Sequence, residues 1–237
     1  MSSAVIITPE MLRGLPIPVR RYLEFTGVVG KPIVSKAMIK QTGRIRLGPE
    51  KRWMRFQANE SYSVDPPSFV WDARVGYGPI PVLSVRDSYL KGRGTIRAKL
   101  LDVFSVVTAD GPKVDESSAV RFLSEVVWFP SAFLHPNFTW KAIDDTSAEV
   151  SLSAYGKAVS GTLIISADGK PTNFTARRYK DVKDAEPLPW STPATAYGRF
   201  CGLNLPVAGQ GVWHLESGDF TYIDVRVDEI SYDWEES

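Results

Sequence analysis

The chain has 237 residues, of which 43% are hydrophobic, and its 28 basic and 27 acidic side chains give a net charge of +1. A near-neutral chain without a basic run predicts no nucleic-acid partner and no attraction to an anionic membrane. The single cysteine, Cys201, excludes an intrachain disulfide and a cysteine-based zinc knot, and two histidines cannot build a three-histidine metal site unaided.

The N-terminus lacks the basic region and the long apolar stretch of a secretory signal. No stretch approaches the roughly 18 uncharged apolar residues that a membrane span needs. We therefore expect a cytoplasmic protein without a membrane span. Its length fits one β-rich domain, 1–237.

The first residues, 1–30, predict two short helices. Thr8 is a candidate cap for the first helix, with Pro9 in its first turn. The second covers residues 18–27 and ends at Gly27.

Strands follow from about Val34, separated by turn residues. We place them at 34–47, 53–63, 68–76, 81–90, 94–101 and 103–109.

One long helix is predicted at 116–128, with Asp115 as its cap and the Pro130 region as its end. Its apolar residues recur at helical spacing. They are Ala119, Phe122, Leu123, Val126 and Val127.

The strand pattern then resumes, with a hairpin turn at 167–170. A proline-rich loop, 181–193, interrupts it and is a candidate lid. The strands lie at 138–143, 147–154, 157–166, 171–180, 195–201, 205–216 and 219–233. The whole pattern predicts a mainly β fold with a few helices, in which a large, curved, mostly antiparallel sheet forms a half-barrel or open barrel around the long helix.

Two predicted strands each place a carboxylate on an otherwise apolar face. Asp87 alternates with Leu83, Val85 and Tyr89, and Glu60 alternates in the same way with the residues Met54, Phe56, Ala58 and Tyr62. A carboxylate in such surroundings must be paired, protonated or hydrated, because isolated buried charge is costly. Either each acid pairs with an arginine, with Arg178 as a candidate, or each lines a pocket.

The long helix offers a second group. Arg121, Glu125 and Trp128 fall on the side opposite the apolar stripe. In one interpretation, Arg121 and Glu125 form a solvated ion pair beneath the partly covered Trp128 ring. In the other, the sheet encloses the helix and these residues form part of a cavity wall.

Five aromatic residues are candidates for substrate binding, although aromatic residues at alternating strand positions are more often ordinary core. They are Trp71, Tyr62, Tyr89, Trp128 and Trp53.

Several segments resemble an uncharacterised bacterial family of single-domain proteins of unknown function. They read LPIPVRRYL at 15–23, PSFVWDAR at 67–74, DSYLKGRG at 87–94 and RFLSEVVWFP at 121–130, and a later segment runs from Tyr197 to Pro206. The family is similar to curved-sheet proteins of the lipoprotein-carrier type, which implies a half-barrel wrapped around helices. The resemblance implies no established activity, and lipoprotein carriage does not transfer to a cytosolic chain.

Three functions remain open. The main prediction is a cofactor-independent acid–base enzyme (an isomerase, lyase, cyclase or hydrolase) acting on a small, largely apolar molecule. Asp87 or Glu60 would move a proton, and Arg178 or Arg121 would stabilise negative charge, with Glu125 beside it. The alternatives are a carrier or sensor of a lipophilic ligand in the same cavity, and a protein-interaction module. Sequence leaves the oligomeric state open.

Overall fold

The computed structural model describes residues 5–77, 80–101 and 103–234. Two α-helices, α1 (Ile17–Thr26) and α2 (Pro112–Glu125), are accompanied by short 3-10 helices at Pro9–Leu12, Val126–Trp128 and Pro130–Leu134. The remaining elements are strands. They are β1 (Lys36–Ile45), β2 (Met54–Ser63), β3 (Ser68–Tyr77), β4 (Ile80–Leu90), β5 (Arg93–Leu100), β6 (Phe104–Ala109), β7 (Phe138–Ala142), β8 (Ser147–Ala154), β9 (Lys157–Ile165), β10 (Pro171–Arg178), β11 (Leu188–Ser191), β12 (Ala194–Phe200), β13 (Leu203–Leu215) and β14 (Gly218–Tyr232).

The strands form one antiparallel sheet of fourteen strands, which confirms the predicted fold class. Its order is β6-β5-β4-β3-β2-β1-β14-β13-β11-β10-β9-β8-β7, and β12 also pairs with β13. Because β14 pairs with β1, the first and last strands of the chain join the two halves of the sheet.

Helix α2 is enclosed by the curved sheet, as the sequence predicts. It contacts β4 and β5 in one half and β8, β9 and β10 in the other. A Cβ atom on Gly94 of β5 would lie 2.4 Å from Ser118 Oγ and 2.5 Å from the Val114 carbonyl oxygen. Glycine therefore allows the strand to touch the helix backbone.

The period-two pattern gives the correct buried face on β2. Met54, Phe56, Ala58, Glu60 and Tyr62 are buried, while the residues between them are exposed. The alternation of apolar and polar residues thus places Glu60 on the face of β2 toward α2. The same alternation on β4 places Asp87 on the inward face.

Three local predictions are corrected. Helix α2 begins at Pro112 rather than at residue 116, with Gly111 at the N-cap position. The Asp115 carboxylate does not cap the helix but accepts a hydrogen bond of 2.9 Å from the Gly94 amide, across to β5. Thr8 occupies the cap position of the first 3-10 helix without a side-chain hydrogen bond.

The loop predicted at 181–193 contains a short strand, β11, at residues 188–191. Pro187 directly before this strand and Pro189 within it favour a loop by propensity, which explains why the strand was missed. Of the segment predicted at 1–30, residues 1–4 lie outside the described part of the chain.

Candidate functional site

Arg121 of α2 is surrounded by three carboxylates from three different elements. Its Nη2 lies 2.8 Å from Glu60 Oε1 of β2, its Nη1 2.6 Å from Asp87 Oδ2 of β4, and its Nε 2.9 Å from Glu125 Oε1 one helical turn later. These four residues are called the Arg121 cluster below. The Glu60 side chain has 0% exposure and that of Arg121 15%, so the cluster lies between helix and sheet.

Neighbouring side chains complete the hydrogen bonding of the two glutamates. Gln41 Nε2 donates to the second oxygen of Glu60 at 3.0 Å, and Trp71 Nε1 donates to Gln41 Oε1 at 3.0 Å. Tyr62 Oη donates to the second oxygen of Glu125 at 3.2 Å. All four oxygens of the two glutamates thus accept a hydrogen bond: two from Arg121 and two from neutral donors. Asp87 accepts from Arg121 through Oδ2, and its Oδ1 has no hydrogen-bond partner among the described residues.

The arrangement shifts the acid–base behaviour of the cluster. Burial is the main cause that raises the pKa of Glu60 to about 8; the charge of Glu125 adds to the shift and that of Arg121 opposes it. Burial also raises the pKa of Glu125, against the opposing effect of Arg121. Burial alone would lower the pKa of Arg121, but the three carboxylates outweigh it and raise that pKa well above its usual range. The cluster therefore keeps its cation, and Glu60 retains its proton to a higher pH than an exposed glutamate does.

A cavity of about 580 Å³ lies between α2 and the concave face of the sheet. This volume is in the range of small-molecule sites. Its walls are mostly apolar, and four of the seven tryptophans of the chain contribute to them, namely Trp71, Trp128, Trp190 and Trp213. Leu47, Val107 and Val182 also line it and are exposed, so we call this end the mouth.

The structure divides the predicted site residues into two groups. Asp87, Arg121, Glu125, Arg178, Trp71 and Trp128 line the cavity, and Glu60, Tyr62, Tyr89 and Trp53 do not. Glu60 lies behind the wall, held by Arg121 and Gln41. Tyr62 and Tyr89 belong to the packed core, where Tyr62 lies 4.8 Å from the Phe129 ring and Tyr89 6.5 Å from the Phe69 ring.

Two predictions about side-chain placement fail. Arg178 is not the partner of Asp87 or Glu60: its Nε donates to the Ser117 carbonyl at 3.0 Å, and its guanidinium lies 4.9 Å from the Trp190 ring. Trp53, which precedes β2, is stacked against Arg44 and Arg46 at 4.5 and 4.6 Å. A ring covered by two guanidinium groups is a surface arrangement.

Sequence reasoning missed Gln41, which connects Trp71 to Glu60. The sequence does contain a signal for it, because Gln41 and Ile39 occupy alternating inward positions of β1. The Gln41 residue is 2% exposed. A polar residue at a buried position indicates a hydrogen-bonded partner. Trp190 was missed because the predicted loop concealed its strand.

Ser191, His214 and Asp219 form a hydrogen-bonded chain elsewhere on the sheet. Ser191 Oγ lies 2.8 Å from His214 Nε2, and His214 Nδ1 lies 2.7 Å from Asp219 Oδ1. Ser191 is 2% exposed and does not line the cavity. The chain connects β11 to the β13–β14 hairpin.

Within the described residues, no group of three or more histidine, cysteine, aspartate or glutamate side chains is suited to hold a metal ion. The described helices also include none that is long and apolar enough to cross a membrane.

Comparisons with known proteins place the chain in a family. The model described as "Family of unknown function (DUF6544)" matches residues 5–225, which confirms the resemblance drawn from the motifs. No curated protein matches. A crystal structure of a DUF1329 family protein from Desulfovibrio piger is similar with a TM-score of 0.51 and 7% identity, over 92% of this chain and 94% of that chain. A LolA superfamily protein from Nitrosomonas europaea has a TM-score of 0.48 and 10% identity, over 95% and 94% of the two chains.

The main functional prediction, an acid–base enzyme, is wrong. The fold overturns it: this chain shares its fold with the DUF1329 family protein over 92% of its length, which agrees better with the alternative prediction of a carrier or sensor than with catalysis. The contacts of the acids agree with this correction, because Arg121 pairs with both Asp87 and Glu60, and Glu60 has no access to the cavity.

Proposed function

This chain belongs to DUF6544, a family of unknown function, and we propose that it binds a lipophilic small molecule in the cavity between α2 and the concave face of the sheet, as a carrier or a sensor. The observation that carries the proposal is the cavity itself, enclosed by apolar and aromatic side chains. Transfer of an apolar molecule from water into such a space is favourable in proportion to the area removed from water.

The Arg121 cluster supports the cavity from one side. Its four side chains connect β2, β4 and α2, and their contacts fix the distance between helix and sheet. Buried ion pairs contribute little net stability compared with apolar packing. The buried charges of the cluster are therefore explained better by a role in positioning the cavity wall than by a contribution to the stability of the fold.

The mouth gives the ligand a way in. The loop 181–187, part of the segment predicted as a lid, borders it through Asp181 and Val182. Lys113 Nζ near the start of α2 donates to the carbonyl oxygens of Val182 and Asp184 at 3.0 and 2.6 Å. We propose that this loop is the lid, so Lys113→Met should accelerate dissociation of a bound dye in a stopped-flow experiment.

The proposal is tested with Nile red, a neutral lipophilic dye whose fluorescence rises in apolar surroundings. We expect saturable binding of one dye per chain and energy transfer from the four cavity tryptophans. Native mass spectrometry of the purified protein provides a second test, because a bound lipid would appear as a mass adduct.

Two neighbouring residues of β6 provide a matched pair of variants. Val107 lines the cavity and is 47% exposed, whereas Val106 is 51% exposed and does not line it. Val107→Trp narrows the mouth and should weaken dye binding by about fivefold, equivalent to about 1 kcal/mol, while Val106→Trp should leave it unchanged. Equal affinities of the two variants, or dye binding that does not saturate, would contradict a ligand site in this cavity.

A further inference from the structure

One carboxylate of the cavity wall has an oxygen that accepts no hydrogen bond from the described residues. In the Arg121 cluster, Glu60 and Glu125 each bond Arg121 through one oxygen and a neutral donor through the other. Asp87 bonds Arg121 through Oδ2 only. Its Oδ1 is buried and has no hydrogen-bond partner among the described residues.

This oxygen lies in a residue that is 7% exposed and lines the cavity. A buried acceptor without a donor is costly, and more so when it belongs to a charged group. The same cavity wall includes a second buried acceptor without a partner, Asn173 Oδ1, and one such donor, Trp190 Nε1. Of the five buried unpartnered side-chain atoms found in the described residues, these three belong to the cavity.

The charges around Asp87 limit what can approach it. Arg121, the cation beside it, is already paired with three carboxylates. A second cation of the cavity wall, Arg178, bonds Ser117 and stacks on Trp190. A ligand carboxylate near Asp87 would meet like charge, whereas a hydroxyl or amine would supply the missing donor.

We propose that Asp87 binds the head group of the ligand, and that the ligand is an amphiphile with an apolar body and a hydrogen-bond-donating head, an alcohol or an amine. The inference rests on the proposed function, since it assigns a ligand class to the same cavity. Asp87 is thereby a specificity-determining residue, and the hydroxyl or ammonium group replaces the water that Oδ1 loses on folding.

The test compares four probes that share one alkyl chain: dodecanol, dodecylamine, methyl dodecyl ether and dodecanoate. Each displaces Nile red from the wild-type protein below its micelle concentration, and the inhibition constants are compared. A hydrogen bond to a charged group contributes about 1.5–3 kcal/mol, so dodecanol and dodecylamine should bind about tenfold or more tightly than the ether and dodecanoate.

Asp87→Asn tests the assigned residue. If the new amide keeps its oxygen toward Arg121, its NH2 group faces the cavity, and the preference should shift toward the ether and dodecanoate. Asp72→Asn is the matched control: Asp72 lies on the neighbouring strand, on the exposed face, 3.2 Å from Arg86. This variant should retain the wild-type preference.

The outcomes separate the two proposals. If Nile red does not bind the wild-type protein, the proposed function fails and the inference fails with it. If the dye binds but the four probes compete equally, or dodecanoate competes best because its head lies at Arg178, the cavity remains and the role of Asp87 is wrong. An unchanged preference in folded Asp87→Asn would overturn it as well. Should that variant not fold, the wild-type series decides alone.

Discussion

The two faces of α2 are both enclosed by the sheet, yet one is packed and the other borders a cavity. On the packed face, Phe122 and Leu123 are fully buried, and the Phe122 ring lies 6.3 Å from Tyr62 and 6.2 Å from Phe129. The other face presents Ser117, Ser118, Arg121, Ser124 and Glu125 to the cavity. Low exposure alone therefore does not identify core: the size of the side chains decides whether an enclosed face is filled.

The difference has a physical basis in what each face does with its neighbours. Large rings fill the space between helix and sheet and contribute apolar burial and dispersion contacts. On the cavity face, the small serine side chains leave the space between helix and sheet open. The Arg121 cluster does not fill this space, because its oxygens and nitrogens are held at hydrogen-bonding distances from each other. The first face stabilises the fold, and the second keeps a space for another molecule.

The largest expected effect comes from the centre of the cavity face. Arg121→Met leaves Glu60, Asp87 and Glu125 without their common cation. Because breaking a buried ion pair leaves uncompensated charge, we expect the unfolding free energy to fall by about 3–5 kcal/mol, measured by urea denaturation at neutral pH.

The control is the exposed pair of Arg86 and Asp72, at 3.2 Å. Arg86→Met should cost less than about 1 kcal/mol, as is usual for surface pairs. If Arg121→Met is no more destabilising than this control, the cluster is hydrated and does not hold the wall.

Two adjacent valines in the short 3-10 helix that follows α2 compare core and cavity directly. Val126 is fully buried in the core, and Val127 is half-buried and lines the cavity. Val126→Ala should cost about 2 kcal/mol through lost apolar burial and a new void, while Val127→Ala, which only enlarges an existing space, should cost about 0.5 kcal/mol. Thermal and urea unfolding measure both, and equal losses would mean that the cavity face is as tightly packed as the core.

Much of this organisation was accessible from sequence. Period-two alternation on β2 and β4 identified Glu60 and Asp87 as inward-facing acids, and the spacing on α2 identified the packed stripe of Phe122 and Leu123. Turn residues gave thirteen of the fourteen strands, because each hairpin leaves a local signal. The exception, β11, is short and contains Pro189.

The partner of the acids was not accessible. Arg121 lies 34 residues from Asp87 and 61 from Glu60, and the pairing depends on which way the sheet curves around α2. Alternation places Arg178 on an inward face too, so it could not distinguish the two arginines. The hydrophobic pattern also does not predict the cavity. Serine residues on one side of a helix are typical of a solvent-exposed face, and the sequence does not indicate that the sheet covers this face.

The smallest and most specific effect concerns the pH dependence of stability. Glu60 has a pKa of about 8 in the folded protein against a usual value of 4.5, chiefly because of burial. Between these values the folded state holds a proton that the unfolded state has lost, so the stability contributed by Glu60 is complete below about pH 4.5 and is lost as the pH rises through about 8, with a slope of up to about 1.4 kcal/mol per pH unit.

Glu60→Gln removes this titration and should flatten the profile, so the wild-type protein should lose stability relative to the variant as the pH rises from about 5 to about 8. Urea denaturation at a series of pH values measures the difference. Glu229→Gln makes the same change on the exposed face, where Glu229 pairs with Lys40 at 2.8 Å, and should retain the wild-type slope. If stability depends on pH in the same way in the wild type and in Glu60→Gln, water reaches Glu60. The cavity would then extend past Arg121 to the Glu60 side of the cluster. A flattened profile would place the proton on the one carboxylate of the cluster that no ligand can touch, and would leave Asp87 to meet the ligand.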